Sequence, residues 1–368
     1  MKKQTDILIL TASFGLGHNS VAKAIAEQTI KLRPNLNVTT IDLLDLIFPA
    51  SKYNFYKKYD FFIKHITPVY NFFYTIKKSN SNSLPDKFIY LTKLNQMSCF
   101  LQDINPKLIV STFPICSGLV SKFKDKNNSN IPLVTCITDV VHSMEWIHPN
   151  TDRYFVATNS IKSILITKGI HKDKIKVTGV PVRHNFLEYT PHVQNNEKIC
   201  KELLIMGGGL GNLKLDNGFF SWLNYKEGIH STIITGKNES LYNSLINEKN
   251  EKNLNNINIV GFTNDVADYM KNSDLLITKA GGISIFEAIY MELPMIIVAP
   301  SMGQEIENAK FIKNYSLGIV KNNMTEIKLC LDDYIYSDKR LNDIKQNIRN
   351  IKKELKANKV GEYIIELL

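Results

Sequence analysis

The chain has 368 residues, longer than one ordinary domain and suited to two of roughly 150 to 200 residues each. With 44% hydrophobic and 22% charged residues its composition is globular, which excludes a disordered chain, and no apolar run is long enough to span a bilayer. The net charge of +10 predicts an anionic partner, be it a nucleotide, a nucleic acid or an acidic lipid surface.

At the N-terminus Met1-Lys2-Lys3-Gln4-Thr5-Asp6 leads directly into a strand pattern with no secretory signal, so a cytoplasmic protein is expected. The five cysteines (Cys99, Cys116, Cys136, Cys200 and Cys330) show neither metal nor redox spacing and fit core packing in a reducing compartment. Residues Asp6 to Thr11 are nearly all apolar, as in a central parallel strand buried on both faces. Ala12-Ser13-Phe14-Gly15-Leu16-Gly17-His18 then forms a glycine loop on a strand-to-helix turn. His18 stands where the helix begins, and a helix N-terminus disfavours the imidazolium. It is therefore read either as a general base that deprotonates an acceptor hydroxyl or as a residue that merely caps the helix.

Val38 to Leu46 reads as a second strand ending near Asp42 and Asp45. From Phe48 to Lys78 aromatic residues interleave with lysines, Lys57 and Lys58 among them. That mixture suits a membrane interface with anionic headgroups, a stacking surface for single-stranded nucleic acid, or a helix packed on its own domain. Leu108 to Thr112 and Leu133 to Thr138 are further buried-strand patterns. After the second come Asp139, His142, Glu145 and His148, every third residue. They lack the i, i+4 pair of a metal-binding helix and Pro149 stops any helix at once, so no metal site is predicted. Instead this loop is expected either to hang over a ligand crevice with His142 and Trp146 against an acceptor or to be a capping loop with Trp146 as a hydrophobic plug.

Tyr154 to Ala157 and Ile175 to Val180 are strand candidates, the latter running into Pro181-Val182-Arg183, and the polar stretch Pro191 to Lys198 marks a crossing between domains. Arg183 is placed either within reach of a diphosphate or in a surface salt bridge. The second half repeats the plan. Glu202 to Met206, His230 to Thr235 and Ile257 to Gly261 read as strands, with Gly207-Gly208-Gly209 turning after the first. Next, Leu275 to Ile277 ends on Thr278-Lys279-Ala280-Gly281-Gly282, a turn that lets backbone approach a ligand and aims helix N–H groups at an anion such as phosphate. Glu287 lies about one and a half turns into that helix, placed to accept from ribose hydroxyls. The strand at Pro294 to Pro300 is followed by Gln304, Glu305 and Asn308 where a doubly wound sheet carries its ligand loops. Alternation of strand and helix in both halves predicts an α/β protein with two Rossmann-like doubly wound domains facing a central cleft.

In their order and spacing Gly15-Leu16-Gly17-His18, Thr138-Asp139 with His142 and Trp146, Thr178 to Arg183, Gly207 to Gly209, Thr278 to Gly282 with Glu287-Ala288, and Gly303-Gln304-Glu305 with Asn308 form a set. In that set the chain resembles the glycosyltransferases that build membrane glycolipids, the monogalactosyldiacylglycerol synthase and processive diacylglycerol glucosyltransferase family. The resemblance implies a GT-B architecture: an acceptor and membrane-associating domain at 1–190, a UDP-sugar domain at 191–340, and a helical tail at 341–368 that returns to the first domain. It implies hexose transfer from a UDP-sugar to diacylglycerol or a similar lipid, with His18 as base. Lys279, Ala280, Gly281, Gly282, Glu287, Gln304 and Glu305 would hold the donor, Gly208 and Gly209 would lie near its diphosphate, and Gly15, Gly17, Asp139, His142, Trp146, Arg183, Lys57 and Lys58 would serve the acceptor and membrane side. No metal or other cofactor is implied, and the protein is placed at the inner face of the cell membrane rather than on nucleic acid. His184, where a proline commonly follows the Pro-Val-Arg motif, leaves the sugar and the exact acceptor open. So do a UDP-sugar epimerase acting without lipid, a transferase with a different lipid-linked acceptor, and a non-catalytic nucleic-acid binder.

Overall fold

Two parallel sheets organise the chain in a computed structural model that describes residues 5–14, 16–47, 84–190, 200–213, 218–301 and 303–368. The residues separate into two units, Met1–His184 with Met302–Gln304 and Leu355–Leu368, and Asn185–Ser301 with Glu305–Glu354. The sequence-proposed membrane stretch, including Lys57 and Lys58, lies outside the described residues, as do Gly15 and the polar crossing at 191–198.

In the first unit the strands β1 (Ile7–Thr11), β2 (Val38–Asp42), β3 (Leu108–Ser111), β4 (Leu133–Cys136), β5 (Arg153–Val156) and β6 (Ile175–Val177) assemble in the order β2-β1-β3-β4-β5-β6, every pair parallel. Four residues of β1, Ile7 to Leu10, are fully buried, as expected of a strand covered on both faces. Leu8 and Leu10 pack with Leu119, Val120 and Phe123 of the helix Pro114–Asn127 and with Met97 and Leu101 of the helix Leu84–Ile104. The second strand is shorter than the sequence pattern implied. It ends at Asp42, whose Oδ1 accepts the Leu44 N–H at 2.9 Å and starts the helix Leu43–Ile47.

In the second unit β7 (Lys201–Met206), β8 (Ile229–Ile234), β9 (Ile257–Val260), β10 (Leu275–Thr278), β11 (Met295–Val298) and β12 (Gly318–Lys321) run in the order β12-β11-β10-β7-β8-β9, again all parallel. The edge strand β12 was absent from the sequence reading. Its four residues are only half buried, so they carry little apolar signal. Gly318 is its marker, since a side chain there would sit 2.3 Å from the Met295 carbonyl oxygen. The helix Gly282–Tyr290 is buried along almost its whole length, and Phe286 stacks on Phe311 of the helix Gly303–Asn314 with ring centroids 6.0 Å apart.

The C-terminal tail divides. The helix Asp338–Glu354 belongs to the second unit, whereas Val360–Ile365 belongs to the first. There Gly361 comes so close to the helix Gly17–Leu32 that an added Cβ would lie 3.0 Å from the Gln28 carbonyl oxygen.

Candidate active site

A doubly wound sheet offers a crevice where successive connections leave a strand on opposite sides. In the first unit that point lies between β1 and β3, because β2 has been laid on one side of β1 and β3 on the other. His18 occupies it, in the first turn of the helix Gly17–Leu32, whose N-terminus has no side-chain cap. Its Nδ1 lies 2.9 Å from the carbonyl oxygen of Thr112, just beyond β3. A carbonyl can only accept, so Nδ1 carries the proton and Nε2 keeps its lone pair. Thr138 Oγ1, just beyond β4, is 3.1 Å from the same nitrogen. The ring stands edge-on to Phe113, centroids 5.1 Å apart, with Trp146 at 6.5 Å.

Dense packing around the ring, although part of its surface reaches solvent, disfavours the imidazolium and is the largest influence on its pKa. The Asp139 carboxylate and the Thr112 carbonyl bond pull the other way, and the net effect is a pKa below the ordinary 6.5. A neutral imidazole with an available Nε2 can accept a proton at neutral pH.

Other residues of the first unit fall as follows. Gly17 is the first residue of the His18 helix. Trp146 ends a short 3-10 turn, Met144–Trp146, and is buried to 3% exposure, so its indole walls the His18 surroundings. The His142 carbonyl accepts the Lys168 ammonium, which ties that loop to the helix Asn159–Thr167 and the turn after it. His148 is structural, with Nε2 3.3 Å from the Pro114 carbonyl oxygen. Arg183 lies half-buried in the segment after β6.

In the second unit the equivalent point lies between β7 and β10. The loop after β7 and the turn after β10 meet there, since a Cβ on Gly208 would lie 3.3 Å from Lys279 Cε. Gly208 itself has φ +70°, the left-handed region that favours glycine. The Gly209 carbonyl accepts the Lys237 N–H at 3.0 Å, which joins this loop to the one after β8. Lys279 Nζ is 3.3 Å from Glu305 Oε1, and the buried Asn308 amide donates to the Ala280 carbonyl at 2.9 Å. Thus the turn after β10 is held by two residues of the helix Gly303–Asn314, which Gln304 also begins. Gly281 precedes the helix Gly282–Tyr290 with no side-chain cap, leaving its first N–H groups to face whatever sits at the turn. Glu287 is in that helix, 5% exposed. The fully buried Thr278 hydroxyl just before the turn has no hydrogen-bond partner among the described residues.

Two contacts of His18 were not anticipated, Thr112 and Phe113; they share no motif with it, and only the strand order brings them beside the ring. The exposed ring of Phe262 beyond β9, 5.4 Å from the Lys237 ammonium, is a third feature with no sequence signal of its own.

Two doubly wound parallel domains, one presenting a neutral histidine and the other a glycine loop beside an uncapped helix, define the GT-B class of fold. Solved structures share it. MurG of Acinetobacter baumannii matches with a TM-score of 0.64 at 14% identity, covering 98% of this chain and 99% of that one. Anabaena HepE in complex with UDP-glucose matches with a TM-score of 0.54 at 13% identity, covering 98% of each chain. A UDP-N-acetylglucosamine 2-epimerase also matches, with a TM-score of 0.57 at 12% identity over 99% of this chain and 95% of that one, so fold alone does not separate sugar transfer from epimerisation. Sequence does. Residues 18–182 match the monogalactosyldiacylglycerol synthase family model, and 203–359 match the glycosyltransferase family 28 C-terminal domain. The processive diacylglycerol beta-glucosyltransferase of Bacillus cereus (strain G9842) is 30% identical over 95% of this chain and 91% of its own length. That of Bacillus pumilus is 29% identical over 100% and 96%. The chain belongs to the monogalactosyldiacylglycerol synthase and processive diacylglycerol glucosyltransferase family, and is a glycosyltransferase.

Proposed function

We propose that the protein transfers a hexose from a UDP-sugar to the free hydroxyl of diacylglycerol, with His18 as the general base. The observation that carries the chemistry is the Nδ1–H bond to Thr112, which leaves Nε2 of a neutral ring as the acceptor. As the acceptor oxygen attacks the anomeric carbon, its proton passes to Nε2 and the bond from that carbon to UDP breaks. A single displacement on an α-linked UDP-sugar inverts the centre, which agrees with the beta linkage in the relatives' names. Glucose is the proposed sugar, since the relatives named for it span the whole chain.

On the donor side, the Gly208 and Gly209 loop, the N–H groups opening the helix Gly282–Tyr290 and the Lys279 ammonium would receive the diphosphate, and Thr278 has a hydroxyl to offer beneath them. Glu287 is assigned to the ribose hydroxyls, and Gln304 and Glu305 to the sugar. With these groups neutralising the leaving diphosphate, no metal is required.

No helix among the described residues is long and apolar enough to cross a membrane. The net charge of +10 and the aromatic and basic residues between Phe48 and Lys78 support peripheral binding to an anionic inner leaflet. Asp139, His142 and Arg183 are assigned to the acceptor side.

One assay tests the proposal. Labelled UDP-glucose and UDP-galactose are supplied in parallel to vesicles containing diacylglycerol, with and without anionic lipid. Label should enter the lipid phase only when diacylglycerol is present, faster from UDP-glucose, and undiminished by EDTA. Replacing Lys57 and Lys58 by Glu, or raising the salt, should slow the reaction on anionic vesicles. A labelled sugar that stays water-soluble and is converted without lipid contradicts the transfer. Equal rates on neutral and anionic vesicles contradict the membrane part.

A further inference from the structure

Across the C-terminal edge of the sheet β2-β1-β3 runs a chain of hydrogen bonds with a single direction. Thr112 Oγ1 donates to Thr11 Oγ1 at 2.9 Å, and Thr11 Oγ1 donates to Asn19 Oδ1 at 3.0 Å. Asn19 Nδ2 donates to Ser13 Oγ at 2.7 Å. Ser13 then donates its hydroxyl and its backbone N–H, the latter at 3.1 Å, to Asp42 Oδ2. A carboxylate only accepts, so the Ser13 proton is committed to Asp42 and the Ser13 lone pair is left for the Asn19 amide. The polarity of every link upstream follows from that anchor. The chain also returns to the base, because Thr112 supplies the first hydroxyl and also the carbonyl that accepts His18 Nδ1–H.

We infer that Asn19 is the positioning residue of His18, its side-chain amide joining Thr11 to Ser13 so that the peptide carrying the imidazole is fixed against the end of β3. Asn19 needs an acceptor on one side and a donor on the other, and a planar amide supplies both. Alanine supplies neither, and a carboxylate of the same shape lacks the N–H that Ser13 requires. The inference rests on His18 acting as base.

Among the described residues the charged group that acts on the ring is Asp139 beyond β4; Asp42 beyond β2 anchors the far end of the hydrogen-bond chain, and the buried Cys116 thiol lies 3.8 Å from the Thr11 carbonyl oxygen. Asn19→Asp adds a carboxylate on the residue next to the base in the chain, which favours the imidazolium.

The test compares Asn19→Ala, Asn19→Asp and His18→Ala with the parent in the diacylglycerol assay, with melting curves alongside. Asn19→Ala should lower kcat by about 10- to 100-fold while the KM for UDP-glucose stays within about twofold, as misplacement of a catalytic group does. Asn19→Asp should also lower kcat and move the acid limb of the kcat profile to higher pH. If His18→Ala abolishes turnover yet both Asn19 variants keep the parent kcat and acid limb, the inference is overturned and the base assignment stands. A lower kcat in Asn19→Asp with an unmoved acid limb reveals general loop damage and overturns it as well. Should His18→Ala retain turnover, the base assignment fails and takes this inference with it.

Discussion

His18→Ala should lower kcat by about 10²- to 10⁴-fold, the usual contribution of a positioned general base, while UDP binds as tightly as to the parent. The split follows from where the groups sit. His18, Thr112 and Thr138 all belong to the first unit, whereas the residues assigned to UDP belong to the second except Gln304, so deleting the imidazole removes no donor contact proposed here. His18→Asn is the informative companion. Its amide nitrogen can still donate to the Thr112 carbonyl, but it has no basic nitrogen to replace Nε2, so turnover should stay low although the loop is kept. Steady-state rates with calorimetric titration of UDP separate the two quantities.

Gly211→Ala should have the largest effect on the second unit. Gly211 has φ +65°, where any other residue costs roughly 1–2 kcal/mol. An added Cβ would also lie 1.8 Å from the Thr235 carbonyl oxygen and 2.8 Å from Asn238 Cβ. Both neighbours belong to the segment after β8, so relief requires the glycine loop to move away from it as a body. That motion carries Gly208 and Gly209 with it, because the Gly211 N–H is bonded to the Gly208 carbonyl and the Lys237 N–H to that of Gly209. The backbone strain alone lowers the melting temperature by about 2–8 °C at the usual 2–4 °C per kcal/mol for a domain of this size, and the clash adds to that. UDP affinity should fall at least about tenfold, equivalent to 1.4 kcal/mol. Gly218→Ala is the control. It too has positive φ, +97°, but none of the described residues lies within 4 Å of the added methyl, so it should lose some stability and keep its affinity for UDP.

These two sites differ in how far the sequence disclosed them. Buried central strands such as Ile7–Thr11 and Leu275–Thr278 are continuous apolar runs, and the glycine turns beyond them are punctuation any reader meets. His18 could be singled out because its place at a helix start carries a physical consequence for its charge. Its partners could not. Thr112 and Thr138 are 94 and 120 residues away, and nothing in either segment says that β3 will lie beside β1 rather than beyond β2. Asp42 was noticed as the end of a strand, but its task of orienting Ser13 and so Asn19 depends on the same strand order. The extension of the second strand past Asp42 failed for a local reason: Leu43, Leu44 and Ile47 are apolar in either conformation, and the cap on Leu44 selects helix. Trp146 could be an acceptor contact or a hydrophobic plug on sequence alone, and the short turn it ends folds the indole inward beside His18.

The Asp139 carboxylate raises and the surrounding packing lowers the proton affinity of the same ring, and packing wins. The sign has a consequence for pH. A base works unprotonated, so its contribution is complete well above its pKa and is lost as the pH falls through it. With the pKa held below 6.5, turnover should persist to pH values at which a free histidine would already be protonated.

Titration of the His18 side-chain nitrogens by NMR in the ¹⁵N-labelled protein, identified by the signal missing from His18→Ala, reads the tautomer and charge of the ring directly. At neutral pH the spectrum should show the proton on Nδ1 and a free Nε2, with protonation only below pH 6.5. A proton resident on Nε2 at neutral pH, or an imidazolium that persists above pH 6.5, would contradict it.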